Sequence, residues 1–183
     1  MSNFKYFARV AGVLFIVCTI TALLLGAVYG LTKDTIQKNN DKVMRDTIAS
    51  VFEGDIMIKE AIITEGLDPC VKNVYEITEH DYLLGYAVHV APLGFKGEIE
   101  MIVGLQADGS CKSVRIISLS ETPGLGSKVS DDIFLSQFTG KNEVFTVKEN
   151  IDPIASATIS SKAVANGVNI ALDAYEIVTG GKS

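Results

Sequence analysis

Residues 97–120 read GEIEMIVGLQADGSCKSVRIISLS, and this stretch decides the fold. Residues 97–106 alternate at first and then become apolar through Met101, Ile102, Val103 and Leu105. Ala107-Asp108-Gly109-Ser110 reads as a hairpin turn, because Asp-Gly accepts the positive φ of a tight reversal. Residues 112–120 return as the partner strand, with Val114, Ile116 and Leu119 as its apolar contributions. Upstream, residues 82–90 (YLLGYAVHV) and 71–78 (VKNVYEIT) are β-branched and aromatic, separated by a polar turn at 79–81. Consecutive strands with short turns predict an antiparallel sheet.

Beyond the hairpin the chain changes character. Residues 121–126 (ETPGLG) form a loop, 131–138 (DDIFLSQF) a short helix, 139–141 a turn, and 144–147 a short edge strand. A C-terminal helix is expected to begin near Thr158. Ile159, Ala163, Gly167, Ile170, Ala174 and Ile177 form its apolar face, with Ser161, Asn169, Asp173 and Glu176 opposite. The fold class is therefore α+β, an antiparallel sheet with helices packed on it. No internal repeat or low-complexity tract is present.

Outward to the N-terminus, residues 10–31 (VAGVLFIVCTITALLLGAVYGL) contain no charge. A helix of about 22 residues crosses a hydrocarbon core of roughly 30 Å. Lys5 and Arg9 precede the run, Lys33 and Asp34 follow it, and Tyr6, Phe7 and Tyr29 lie where aromatic rings anchor. A cleaved signal peptide would carry a shorter apolar core and a small-x-small cleavage site, and neither is present. The basic residues flanking the span bias its orientation only weakly, but a tail of about nine residues before it and a large domain after it predict a cytoplasmic N-terminus with the rest outside. Residues 32–54 read as a juxtamembrane helix, through Ile36, Val43, Met44, Ile48, Val51 and Phe52, which Gly54 stops. The expected organisation is a tail (1–9), a transmembrane helix (10–31), the juxtamembrane helix and an extracytoplasmic domain (55–183).

Composition narrows the chemistry. Of 183 residues, 48% are hydrophobic, enough for a core, and the net charge of −6 comes without a basic cluster. That argues against a nucleic-acid partner, whose phosphates demand clustered Lys and Arg. Cys18 lies in the apolar segment, while Cys70 and Cys111 form no C-x-x-C unit, so the chain alone holds no iron–sulfur cluster. A Cys70–Cys111 disulfide stays open if the domain is extracytoplasmic. His80 and His89 fit no zinc pattern, so no metal site is expected. The terminal Gly180-Gly181-Lys182-Ser183 mimics part of a phosphate-binding loop, but Glu176 occupies the position of its first glycine and no helix follows. Neither a catalytic triad nor an acid–base pair is evident, so no catalytic residue is assigned.

Two loops remain as carriers of chemistry. In Glu121-Thr122-Pro123-Gly124-Leu125-Gly126, proline and Gly124 suit the central positions of a type II turn. Gly126 permits close backbone approach, and Leu125 is presented between two glycines. The loop is either a plain connecting turn or the rim of a site for a flat ring. In Asp152-Pro153-Ile154-Ala155-Ser156-Ala157-Thr158-Ile159-Ser160-Ser161-Lys162, four hydroxyls cluster at a predicted helix start. Ser156 or Thr158 suits helix capping, and the same N-terminus suits a phosphate.

Together these loops resemble the FMN-binding domain family, which includes the G subunit of Rnf respiratory complexes and the C subunit of sodium-translocating NADH:quinone reductase. ETPGLG matches in full. Gly94-Phe95-Lys96-Gly97-Glu98-Ile99, Val103-Gly104-Leu105, Asp108-Gly109 and FLSQFTG (134–140) are similar to the family's flanking sequence. The span and the length resemble the G-subunit branch. In this family a flavin transferase joins FMN through its phosphate to a threonine in the pattern Asp-x-x-Ser/Thr-Gly-Ala-Thr. Asp152, Ala157 and Thr158 match it; Ala155 and Ser156 depart from it. The resemblance implies covalent FMN on Thr158, with Thr122, Gly124, Leu125 and Gly126 lining the flavin. It also implies that Ser160 and Ser161 receive phosphate or ribityl oxygens, that Lys162 screens the phosphate, and that Glu121 either orients the loop or sits near the ring. The implied role is an electron carrier in an ion-translocating ferredoxin:NAD oxidoreductase of the cell membrane. Its partners would be the other membrane and peripheral subunits of an Rnf complex and, during maturation, the transferase. Two alternatives are an FMN carrier of another extracytoplasmic respiratory system and an anchored sensor or scaffold without cofactor.

Overall fold

The computed structural model describes residues 2–52, 54–61, 66–80 and 82–180, with side chains from Phe7 onward except that of Ala8. The flanking side chains of Lys5 and Tyr6, the turn residue Asp81, and the terminal Gly181, Lys182 and Ser183 lie outside that description. The chain divides into two compact units, Met1–Lys42 and Val43–Ser183.

The first unit belongs to helix α1 (Ser2–Val51), unbroken because the segment between Ser2 and Val51 contains no proline. An 18-residue window of this helix has mean hydropathy 2.5 and none of it is buried, so it is a candidate membrane span and no core helix. Its hydroxyls are satisfied internally: Thr19 donates to the Phe15 carbonyl at 2.8 Å and Thr32 to the Val28 carbonyl at 2.9 Å. Such back-bonding is how a polar group is carried in an apolar helix.

The second unit is built on a five-stranded antiparallel sheet in sequential order: β1 (Ile56–Glu60), β2 (Val71–Glu79), β3 (Tyr82–Val90), β4 (Ile99–Gln106) and β5 (Cys111–Leu119). The expected strands 71–78, 82–90, 97–106 and 112–120 match β2 to β5 closely. β1 was not anticipated; it is a short edge strand in which Ile56 and Ile58 alternate with exposed Met57 and Lys59. Across β4 the two periods separate. Ile99, Met101, Val103 and Leu105 enter the larger core, while Ile102 enters the smaller one. β4 is thus buried on both faces, which explains its continuous apolar run.

Each sheet face has its own cover. On one, Ile48, Val51 and Phe52 at the end of α1 pack against Ile77, Ala87 and Ile102. Gly104 lies directly beneath Val51, where a side chain would collide. On the other lies helix α3 (Thr158–Thr179), whose Gly167 closes on Met101 and Pro92. Tyr175 of α3 stacks edge-on with Tyr86 at 5.5 Å and donates to the Ala107 carbonyl at 2.8 Å, gripping the hairpin turn. That turn has Gly109 at φ +82°, as Asp-Gly implied. Asp108 accepts from the Ser110 hydroxyl and N–H, which hold its carboxyl below the usual range. The helix α2 (Asp132–Leu135) lies between 3₁₀ turns at Gly126–Ser130 and Ser136–Phe138, in place of one short helix at 131–138.

Two expectations are corrected and one open question is answered. Residues 144–147 form no strand: Asn169 brackets Phe145, accepting from its N–H at 2.8 Å and donating to its carbonyl at 3.0 Å, leaving only a bridge between Val147 and Ile151. Cys70 and Cys111 are both free. Cys70 immediately precedes β2 and Cys111 opens β5, at least three strand spacings apart, or about 14 Å, beyond disulfide reach. Burial pushes the Cys111 thiol up to about 12. On α3, Ile159 is 54% exposed while Ser161 is buried, the reverse of the expected faces.

Candidate functional site: a cleft between two loops

The first wall is ETPGLG. The Leu125 N–H donates to the Thr122 carbonyl at 3.2 Å, closing a turn with Pro123 and Gly124 at its centre. Gly124 has φ +76°, the conformation required at the third position of a type II turn. Ser127 locks it, its hydroxyl accepting from the Gly124 N–H at 2.9 Å. Gly126 is needed for space instead: a Cβ there would stand 2.6 Å from Glu121 Oε2 and 2.8 Å from Ser160 Oγ.

The second wall is the approach to α3. The Ala157 N–H donates to the Ile154 carbonyl at 3.0 Å, so 154–157 is also a turn, with Ser156 at φ +64°. This is the left-handed conformation that glycine adopts freely and serine rarely. Capping by Ser156 or Thr158 does not occur; Ala157 precedes the helix without a side-chain cap. The N–H groups of Thr158, Ile159 and Ser160 have no acceptor among the described residues. The hydroxyls divide the same way. Ser161 donates to the Ala157 carbonyl at 3.0 Å and accepts from the Ile154 N–H at 3.1 Å, and Ser160 donates to Glu121. Ser156 and Thr158 make no side-chain hydrogen bond among the described residues.

Glu121 joins the walls. It is 6% exposed. Its Oε1 accepts from the N–H of Phe95 at 2.7 Å and of Lys96 at 3.3 Å, and its Oε2 from the Ser160 hydroxyl at 2.9 Å. Gly94 closes over the same carboxylate. The short reversal at 94–97, held by the Gly94 N–H on the Gly97 carbonyl at 2.8 Å, thereby presents Phe95 beside ETPGLG.

Between these segments opens a cleft of about 330 Å³ lined by Phe95, Glu121, Thr122, Leu125, Gly126 and residues 156–160. That volume lies at the lower end of small-molecule sites. Phe95 (63% exposed), Leu125 (45%) and Ile159 (54%) form an uncovered apolar rim. Of the expected site residues, Thr158, Glu121, Thr122, Leu125, Gly126 and Ser160 meet here. Gly124 shapes the loop without lining the cleft, because its turn faces solvent. Ser161 is turned inward and bonded, and Lys162 is exposed beyond the cleft, so neither is brought to it. Phe95, Ser156, Ala157 and Ile159 were not anticipated as lining. An aromatic between two glycines at 94–97 was a usable signal for Phe95. Ile159 carried none, since helical spacing assigns it to the core.

Residues 94–173 match the FMN-binding domain family. The chain is 31% identical over 174 residues to the G subunit of the proton-translocating ferredoxin:NAD(+) oxidoreductase complex of Clostridium ljungdahlii, covering 91% of this chain and 90% of that one. It is 29% identical over 200 residues to the G subunit of the Na(+)-translocating ferredoxin:NAD(+) oxidoreductase complex of Acetobacterium woodii, covering 95% and 94%. The crystal structure of the C subunit of the Na(+)-translocating NADH-quinone reductase from Parabacteroides distasonis shares the fold, with TM-score 0.50 at 22% identity over 58% of this chain and 62% of that chain. Similarity sustained along nearly the whole of both chains shows that this protein belongs to the G-subunit family of ion-translocating ferredoxin:NAD(+) oxidoreductase complexes, with the FMN-binding domain as its folded core.

Proposed function

We propose that this chain is the membrane-anchored electron carrier of such a complex, holding one FMN as a phosphoester on Thr158. The observation that carries this reading is the Thr158 hydroxyl: without a partner among the described residues, half-buried, on the first residue of α3 and in the wall of the cleft. The residues present fit the group. Free N–H groups at the helix start suit a phosphate. The apolar rim of Phe95, Leu125 and Ile159 suits a flat ring system. Ser156 adopts the left-handed conformation that the family pattern meets with glycine, so the turn before Thr158 is kept despite the departure.

FMN, when bound, supplies the redox chemistry. The chain's own residues bind and orient. Thr158 Oγ1 would hold the phosphate as an ester, with the transferase taking up the threonine proton and the leaving group of its own flavin donor. The N–H groups of 158–160 would receive the phosphate oxygens, and Gly126 would let the backbone approach the ring. Ser161 and Lys162 are left out of this role. A tethered carrier samples a small volume beside its partners and reaches them at high effective concentration. The α1 span anchors it, with the N-terminus cytoplasmic and the domain outside, beside the other subunits of the complex. Proton or Na(+) movement belongs to those partners, because one uncharged span offers no ion path.

The test is intact mass and denaturing-gel fluorescence of the native chain and of Thr158→Ala, each expressed with the transferase. A flavin-phosphate mass on the native chain that disappears in Thr158→Ala is expected. Flavin mass retained in Thr158→Ala would move the acceptor elsewhere, and no mass on either would reject the covalent link.

A further inference from the structure

Glu121 is the most buried charged side chain of the cleft, and everything that reaches it is a donor. Its partners come from two segments, the 94–97 reversal that carries Phe95 and the first turn of α3 that carries Thr158, so it joins both to its own loop, which carries Leu125. Gly126 and Gly94 both press on the carboxylate, so it fills the space beneath the cleft. Both oxygens act as acceptors. Glu121 makes no ion pair among the described residues. Neutral donors and the positive end of α3 support it, which offsets its desolvation without cancelling its charge.

We propose that Glu121 is the positioning residue of the flavin cleft, tying the apolar rim to the acceptor helix and leaving a fixed negative charge beneath the cofactor. The proposal rests on the flavin-carrier reading above. Two consequences follow. Loss of the clamp frees the rim from the helix. Loss of the charge alone favours the reduced, more negative flavin, because nearby like charge in a poorly solvated site opposes added electrons.

Two variants separate these roles. Glu121→Gln keeps the shape and can accept from Phe95 and Lys96 while meeting the Ser160 hydroxyl with its amide. Glu121→Ala removes clamp and charge. Amide hydrogen exchange at Phe95 and Lys96 is measured on Thr158→Ala protein, which needs no flavin. Exchange should accelerate on the order of tenfold or more in the Glu121→Ala background and stay close to the parent with Glu121→Gln, since only the first exposes those N–H groups. Unchanged exchange with Glu121→Ala would overturn the clamp. Redox titration of flavin-loaded protein, with intact mass to confirm loading, reads the charge. Glu121→Gln should shift the one-electron equilibrium toward reduced flavin by roughly tenfold, about 59 mV. A loaded Glu121→Gln protein with an unshifted potential would overturn the charged role. A native chain without flavin would instead reject the carrier reading, and the role toward the cofactor with it, leaving exchange to judge the clamp.

Discussion

The two walls of the cleft reach similar backbone shapes by different means. In ETPGLG each special requirement has its own residue: Pro123 and Gly124 make the turn, and Gly126 leaves the space that Glu121 and Ser160 need. In 152–161 one residue serves against its preference, because Ser156 takes φ +64° with a side chain attached. Glycine spelled out the first wall in advance. The second wall shows that a left-handed turn forms without a glycine when neighbours hold it, here through the Ser161 hydroxyl between Ile154 and Ala157. A wall built from strain is the easier one to improve, and a wall built from close contact the easier one to break.

Substitutions test that contrast. Gly126→Ala should have the largest effect, about 3 kcal/mol of destabilisation, because its Cβ must displace Glu121 or Ser160. Urea unfolding checks it, and a cost near zero would mean the walls are not in contact in solution. Ser161→Ala should cost about 1.5 kcal/mol by stranding the part-buried Ile154 N–H, and a neutral result would remove the support assigned to the second wall. Gly124→Ala should cost about 1 kcal/mol, a conformational penalty alone, since nothing crowds that position. Ser156→Gly should stabilise by about 0.5 kcal/mol, as relief of the left-handed strain exceeds the added chain entropy of glycine. Destabilisation there would show that the serine hydroxyl matters more than its backbone.

The comparison is cleanest above neutral pH, for a reason outside the cleft. Burial holds His89 below its usual value, against the weaker pull of Glu100 and with Lys72 adding to the shift, and its Nε2 is buried without a partner among the described residues. The unfolded chain therefore binds a proton first as pH falls below about 6.5. Stability should decline from there and level off below the folded pKa. His89→Asn should flatten that slope in thermal melts between pH 7 and 5, whereas an unchanged slope would assign it to other groups.

Strands β2 to β5 and the hairpin were legible because alternation and Asp-Gly are local signals. So was the ETPGLG wall. β1 was not, since a five-residue edge strand is too short a run for alternation to show. Ile159 was misassigned for a deeper reason. Helical spacing reports that a face is apolar, not what covers it, and the first turn of α3 lines the cleft. Ser161 failed in the opposite sense: a serine near a helix start suggests a free donor, while here it is spent on local backbone. Phe95 and Glu121 meet across 26 residues of chain, a pairing that no local pattern encodes.

β4 has one more consequence. Its segment from Met101 to Leu105 is uncharged, β-prone and buried on both faces once folded. Before the neighbouring strands arrive, the same segment is a template for pairing between chains. Glu98 and Glu100 on one side and Asp108 on the other act as gatekeepers along the sequence. Pairing with β5 through a tight hairpin turn covers one edge of β4 with the nearest strand in sequence, so the feature that holds the core together is also the segment that folding must cover.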